Sequence, residues 1–200
     1  MAALTYPLQL QFKLVALAPQ IFVRNANGED VLYVHQKLFK LKEAISVYRD
    51  TSKTQTVYKI AADRIIDFGA RYHFTDAAGQ PLGALKRQGA RSIWRATYDV
   101  FSAADEAPKL RIVEEKPWTK VLDSLVGEIP LVGMFTGYFL NPSYVLKDVA
   151  SDETIWRVTK RRTFTDSQFT IESLSALPPA TEQIALLGVL TMTLLERERG

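Results

Sequence analysis

The sequence predicts a mainly β protein, an antiparallel barrel or closed sheet organised around an apolar helix. Three observations indicate this: a strict apolar–polar alternation, a hairpin unit that recurs about every 50 residues, and the segment Ile184–Leu195, which contains only apolar residues, Gly and Thr. Strands with one apolar face need an apolar layer beside them, and a helix that is apolar all round must be surrounded. A closed sheet around the helix satisfies both needs.

The alternation is clearest between Tyr6 and Leu14, where every second residue is apolar. A period of two is typical of a half-buried β-strand. By the same criteria we predict further strands over Gln20–Arg24, Val31–Gln36, Ala44–Arg49, Thr56–Ala61, Tyr72–Phe74, Pro81–Lys86, Ile93–Val100, Leu110–Glu114, Tyr144–Lys147, Ile155–Lys160 and Phe169–Glu172.

A hairpin unit occurs twice, and more loosely a third time over residues 144–172. The turn glycines Gly28 and Gly79 are 51 residues apart, and Tyr48 and Tyr98 are 50 apart. Successive hairpins without a βαβ pattern predict an antiparallel sheet. Closure is favoured because a solenoid of so few repeats would leave open ends.

The apolar segment Ile184–Leu195 follows Pro178-Pro179 and precedes the charged residues Glu196–Arg199. At 1.5 Å per residue its twelve residues reach only about 18 Å, short of the roughly 30 Å of a membrane core. We therefore predict a helix buried inside protein, with Glu196–Arg199 back in water.

One stretch interrupts the β pattern. Trp118, Val121, Leu122, Leu125 and Val126 have helical spacing, which predicts an amphipathic helix of about two turns. The apolar segment Ile129–Leu140 that follows is interpreted as a buried strand pair or a strand plus a turn.

Composition limits the class of protein. The chain has 200 residues, 47% of them hydrophobic, a formal charge of +3 and no cysteine. We expect a single domain over residues 1–200. The absence of cysteine excludes disulfides, thiolate metal sites and a cysteine nucleophile. An N-terminus without a basic segment and the lack of an eighteen-residue apolar run predict a cytoplasmic protein.

Two segments carry a resemblance to a known family. They read VLYVHQKLFKLKEAISVYRD (Val31–Asp50) and VYKIAADRIIDFGARYHFTDAAGQPLGALKRQ (Val57–Gln88). They belong to a unit, seen twice in the chain, of a strand, a D/N-x-x-G turn, a second strand, a basic stretch and a strand ending in V/T-Y-D/R. In this, and in the terminal apolar helix, the chain resembles the LURP-one-related family of the tubby C-terminal and phospholipid scramblase-like superfamily.

The resemblance implies a closed antiparallel β-barrel of about twelve strands threaded by the C-terminal helix, a tubby C-terminal-like fold. It also implies a non-enzymatic binding module, since tubby relatives bind phosphoinositides through basic residues. A membrane-peripheral location would follow from such binding.

Basic residues cluster once in each repeat. The clusters are Lys37, Lys40 and Lys42; Lys86, Arg87, Arg91 and Arg95; and Arg157, Lys160, Arg161 and Arg162. They predict a patch for the phosphates of anionic membrane lipid. The alternative is that they are solvated strand faces or edge-blocking charges. Because side chains alternate along a strand, both sides of one strand cannot contribute to a single patch.

The sequence offers no constellation for catalysis, and we expect no catalytic residue, no metal and no cofactor. It contains no G-x-S-x-G, P-loop or G-x-G-x-x-G motif. His35 and His73 are interpreted as structural, and Glu114 and Glu115 should point to opposite faces of a strand. The run Asp148–Glu153 lacks the central Gly and distal Glu of a calcium loop and predicts a hairpin turn.

Two other functions stay open. A carrier of a hydrophobic small molecule would hold its ligand inside the barrel, where it would compete with the helix for space. A nucleic-acid-binding or transcription-related protein is disfavoured by the charge of only +3. Nothing in the sequence indicates a protein partner.

Overall fold

The computed structural model describes residues 4–13, 20–35, 44–64, 69–89, 96–115, 143–162 and 166–197. These residues form twelve strands and one helix. The strands are β1 (Leu8–Lys13), β2 (Gln20–Arg24), β3 (Asp30–His35), β4 (Ile45–Tyr48), β5 (Thr56–Ala62), β6 (Arg71–Asp76), β7 (Pro81–Arg87), β8 (Thr97–Ser102), β9 (Leu110–Glu114), β10 (Ser143–Asp148), β11 (Thr154–Arg162) and β12 (Asp166–Ser173), and the helix is α1 (Pro179–Arg197).

The strands form a closed antiparallel barrel. Each strand pairs with the next in the sequence, and β1 pairs with β12 to close the ring. The predicted fold class is therefore confirmed, together with the tubby C-terminal-like architecture and the strand number that the resemblance implies. The segments Trp118–Val126 and Ile129–Leu140, for which a helix and a buried strand pair are predicted, lie outside the described residues.

The repeated hairpin unit has a structural basis in its turns. Asn25 and Asp76, at equivalent places, each accept two backbone N–H groups on Oδ1, at 2.8–3.0 Å. The following glycines, Gly28 and Gly79, have φ of 81° and 83°, which L side chains rarely adopt. In the third turn Asp148 likewise accepts two backbone N–H groups on Oδ1, here those of Ala150 and Ser151 at 2.9 Å. The predicted hairpin at Asp148–Glu153 is thus confirmed.

The helix α1 lies inside the barrel. Leu187 and Leu190 are at most 1% exposed, and so are most of their neighbours along the helix. The inward side chains of all twelve described strands supply the apolar layer that such a helix needs. Thr191 and Thr193 remain compatible with this burial because their hydroxyls donate to the backbone carbonyls of Leu187 and Leu190 at 2.7 and 2.8 Å.

Two details of the predicted helix are wrong. It begins at Pro179, five residues before Ile184, because proline is well suited to the first helical position. The apolar run alone could not show this, since the first turn lies at the barrel mouth and is polar. Glu196, expected in water, is instead half-buried, and its carboxylate accepts a hydrogen bond from Tyr98.

The barrel has two different ends. At the entry rim, where the chain passes from β12 into α1, hairpin strands are joined by the turns at residues 25–29, 49–55, 77–80, 103–109 and 149–153. At the exit rim, where α1 ends, lie His35 of β3, Arg87 of β7, Glu114 of β9 and Arg162 of β11. This placement decides which residues of distant repeats can act together.

Candidate functional site

The barrel interior is occupied by the protein's own helix. Ala185, Val189 and Leu190 of α1 are fully buried, and Gly188 allows the helix to approach Val100 of β8 closely: a Cβ at Gly188 would lie 3.0 Å from Val100 Cγ2. A hydrophobic ligand would need a pocket of about 300 Å³ or more in this same space. We therefore expect a ligand site on the outer surface of the barrel or at its rims.

At the entry rim a tyrosine holds the start of the helix. The Tyr6 hydroxyl donates to Glu182 Oε1 at 3.0 Å. Burial raises the pKa of Tyr6 above its ordinary value, and the charge of Glu182 adds to the effect. The bond fixes the first turn of α1 against the segment that leads into β1.

At the exit rim a pair of tyrosines, Tyr98 and Tyr144, holds the end of the helix. Tyr98 donates to one oxygen of Glu196, and the Tyr144 hydroxyl lies 3.5 Å from the other. Arg87 points inward, with its guanidinium 5.8 Å from the Tyr98 ring centre. Glu114 also points inward, is 6% exposed and accepts the Ala96 N–H at 3.3 Å. We call these five side chains, Arg87, Tyr98, Glu114, Tyr144 and Glu196, the exit cluster.

From the exit cluster we predict that the free energy of unfolding decreases at alkaline pH. Burial, and then the charge of Glu196, raises the pKa of Tyr98 above its ordinary value near 10. The folded state therefore retains this proton where the unfolded chain loses it, so the contribution of Tyr98 is complete below about pH 10 and declines as the pH rises further. Each such tyrosine lowers the free energy of unfolding by about 1.4 kcal/mol per pH unit in that range.

Tyr98→Phe tests this directly. At pH 7 we expect the variant to be less stable by about 1–3 kcal/mol, because Glu196 loses a donor. Above about pH 10 the difference from wild type should narrow, since only the wild type has the Tyr98 proton to lose. Urea unfolding between pH 7 and 11 measures both, and a difference that stays constant with pH would contradict the assignment.

The predicted basic residues that the structure describes do not share one face. Lys86 is exposed on the outer face of β7, whereas Arg87 points inward into the exit cluster. Arg157 lies on the outer face of β11 and pairs with Glu115 at 3.3 Å. Lys160 lies over the inward-facing ring of Phe169, 5.6 Å from its centre. This follows from the alternation of side chains along each strand.

The other predicted basic residues are less fully described. Arg161 and Arg162 belong to β11 by their backbone, whereas Lys37, Lys40, Lys42, Arg91 and Arg95 lie outside the described residues.

The strand ends nearest to the three clusters in the sequence nevertheless lie at one end of the barrel. The first cluster follows the end of β3 in the sequence, the second begins at the end of β7, and the third lies at the end of β11. All three strand ends are on the exit rim. Arg157 is the exception, because it lies near the middle of β11.

A further site, which sequence reasoning missed, is a groove on the outer face of β8, β9 and β10. It has a volume of about 290 Å³. Its lining residues are Gln88, Thr97, Arg111, Val113, Lys147, Asp148, Val149 and Asp152. Arg111 and Lys147 are direct cross-strand partners in its floor. Finding this pair requires the register between β9 and β10, which a single sequence does not supply.

The histidines form no metal site within the described part of the chain, where no three His, Cys, Asp or Glu side chains come together. His35 is stacked beside Tyr33, with ring centres 6.4 Å apart. Burial, and secondarily Lys53, lowers the pKa of His35. Glu114 and Glu115 point to opposite sides of the sheet, as predicted.

The geometry defines a class of protein, a closed antiparallel barrel filled by its own helix. A family model described as LURP-one-related matches residues 30–172, well over half of the chain. The chain belongs to the LURP-one-related family, and the resemblance found in the sequence is confirmed.

Comparison with known proteins adds little beyond the family. A crystal structure of a protein from Arabidopsis thaliana is similar over 95% of this chain and 93% of that one, with 16% identity and a TM-score of 0.47. No curated protein matches the chain in sequence. Among the residues that the structure describes, no helix has the length and apolar character needed to cross a membrane.

Proposed function

We propose that this protein is a non-enzymatic binding module that engages the phosphates of anionic membrane lipids at its exit rim. It would act in the cytoplasm as a membrane-peripheral protein. The observation that carries the proposal is topological: β3, β7 and β11, which precede or contain the three basic clusters, all end on this rim. Strand ends from distant parts of the sequence thereby lie at one end of the molecule.

Electrostatics support this use of the rim. Each Lys or Arg close to an anionic membrane contributes about 1 kcal/mol of attraction. Exposed Lys86 is suited to such contact. Lys160 points inward at the same rim, beside the ring of Phe169, and it would add to the positive potential there. The charge of Arg87 is offset by Glu114 and Glu196 of the exit cluster.

The helix-filled interior supports a binding role on the outside rather than transport of a ligand within. The carrier function would require α1 to leave the barrel, although Tyr6 and Tyr98 bond it at both ends. The nucleic-acid function is disfavoured by the formal charge of only +3 and by the pairing of Arg24, Lys147 and Arg157 with carboxylates.

Lys86→Glu tests the rim. We expect flotation with vesicles of phosphatidylcholine containing phosphatidylinositol 4,5-bisphosphate to weaken about ten-fold or more, since the change reverses one charge at the membrane. Binding of the wild type should decrease as salt increases. Vesicles of phosphatidylcholine alone should not bind.

Lys109→Glu is the matched control, because Lys109 is equally an exposed lysine but lies at the entry rim. It should bind vesicles like the wild type. If both variants lose binding equally, or if the wild type does not bind anionic vesicles at low salt, the proposal is wrong.

A further inference from the structure

The outer groove contains an arginine that is held in place by a carboxylate. Asp99 uses both of its oxygens for this surface: Arg111 Nε donates to Oδ1 at 2.8 Å, and Gln88 Nε2 donates to Oδ2 at 2.8 Å. The Asp99 side chain is only 14% exposed. Because Asp99 is itself held by Gln88, it restrains the position of Arg111 Nε.

The two terminal nitrogens of Arg111 remain available to a ligand. Its bond to Asp99 uses only Nε, and within the described residues neither terminal nitrogen of Arg111 has a hydrogen bond. Arg24 differs, since it bonds Asp30 through Nε and also Gln11 through Nη1 at 3.0 Å. Arg157 uses Nη2 for Glu115. A guanidinium with two free parallel donors matches the two oxygens of a carboxylate.

The surroundings of Arg111 define the chemistry of a ligand. Lys147, its cross-strand partner, is held by Asp152 at 2.9 Å and adds a second positive charge. Val113 and Val149 supply apolar surface in the same groove. Asp148 and Asp152 also line it and offset much of the positive charge, so recognition would depend on the paired donors of Arg111 and on the apolar surface more than on charge alone.

We propose that this groove binds the carboxylate of a small ligand with a short apolar body, with Arg111 as the bidentate partner. Asp99 acts as a positioning residue for Arg111. A volume of about 290 Å³ is at the lower bound of ligand pockets, which favours a small acid. Lys86 of the exit rim is the cross-strand partner of Asp99, but the two functions are tested separately, because the ligand of the groove is recognised without a vesicle.

The test is a ¹H–¹⁵N NMR titration of the full chain with N-acetylvaline, and with the neutral N-acetylvalinamide as the matched probe. We expect the amide signals of Arg111, Val113 and Lys147 to shift with the acid, and binding of the neutral amide to be at least ten-fold weaker. Inorganic phosphate should bind more weakly than the acid, because it has no apolar group to contact Val113 and Val149. The titration without vesicles succeeds or fails separately from flotation.

Substitutions at Arg111 test whether this residue binds the carboxylate. Arg111→Gln and Arg111→Lys should each weaken binding of N-acetylvaline about ten-fold or more, the second because it retains charge but loses the paired donors. Arg64→Gln is the control: Arg64 is also bonded to an aspartate through Nε, at 3.4 Å to Asp63, but lies outside the groove. It should leave binding unchanged.

Asp99→Asn tests positioning. We expect weaker binding together with faster exchange of the Arg111 Hε signal, while the melting temperature stays close to that of the wild type. A purely structural role of Asp99 would lower the melting temperature without this spectroscopic change.

The source of the carboxylate is distinguished by comparing isovalerate with the tripeptide Gly-Gly-Val. Tighter binding of isovalerate indicates a free acid, and tighter binding of the tripeptide indicates a peptide C-terminus. Both outcomes support carboxylate recognition. No amide shifts at millimolar N-acetylvaline, equal binding of the neutral probe, or unchanged binding by Arg111→Gln would overturn the proposal.

Discussion

Leu190→Asp is expected to abolish folding. Leu190 lies in α1, is 0% exposed and is surrounded by the inner face of the barrel. Loss of a buried leucine costs about 2–5 kcal/mol, and an unpaired charge at the same place costs several kcal/mol more. Their sum approaches the whole stability of an ordinary domain, about 5–15 kcal/mol. The measurement is soluble yield together with cooperative unfolding followed by circular dichroism.

Leu174→Asp is the control for this variant, since Leu174 is 52% exposed and the same substitution there should change stability by no more than about 0.5 kcal/mol. Leu190→Ala provides a measurable intermediate, with an expected loss of about 2–5 kcal/mol. A soluble, cooperatively folded Leu190→Asp protein would show that α1 is not the core of the barrel.

Gly83→Val should destabilise the protein by about 3 kcal/mol or more. A Cβ at Gly83 would lie 2.3 Å from the carbonyl oxygen of Phe101 and 3.1 Å from Ile184 Cγ2 of α1. The first of these atoms is backbone in the neighbouring strand, so relief requires β7 and β8 to separate, which is costlier than ordinary overpacking. Thermal unfolding should show a melting temperature lower by roughly 6–12 °C.

Gly89→Ala is the companion variant. A Cβ at Gly89 would meet no atom within 4 Å, so we expect a change within about 1 kcal/mol, and in the stabilising direction if the unfolded chain loses freedom. Equal losses in the two variants would mean that the close contact of Gly83 with β8 and α1 is absent.

Much of the fold could be predicted from sequence because each strand has one side in the core. The period of two placed Leu8, Leu10 and Phe12 on one face, and all three are buried. The position of α1 could be predicted because no polar face can be drawn on Ile184–Leu195. Its ends could not, since the first turn and Glu196 are polar yet held by Tyr6 and Tyr98 across the barrel.

The candidate sites were harder to predict because they depend on pairing between strands. The alternation of side chains along a strand shows that Lys86 and Arg87 face opposite ways. Their adjacency in the sequence, by contrast, suggests that they belong to one basic patch. Arg111 and Asp99 are twelve residues apart on different strands, and only the register of β8 with β9 makes them partners. The common rim of β3, β7 and β11 likewise follows from barrel closure, which the residues alone do not establish.

The order of elements has a consequence for biosynthesis. The ribosome delivers the residues of all the described strands before those of α1, and β1 finds one of its two neighbours only when β12 arrives. Until then the apolar faces of the strands are not covered by α1. Exposed apolar surface of this kind is prone to aggregation. Contacts between segments that are so far apart in the sequence also form slowly. We therefore expect the nascent chain to require protection by chaperones until translation has passed α1, and the barrel to form as one late event.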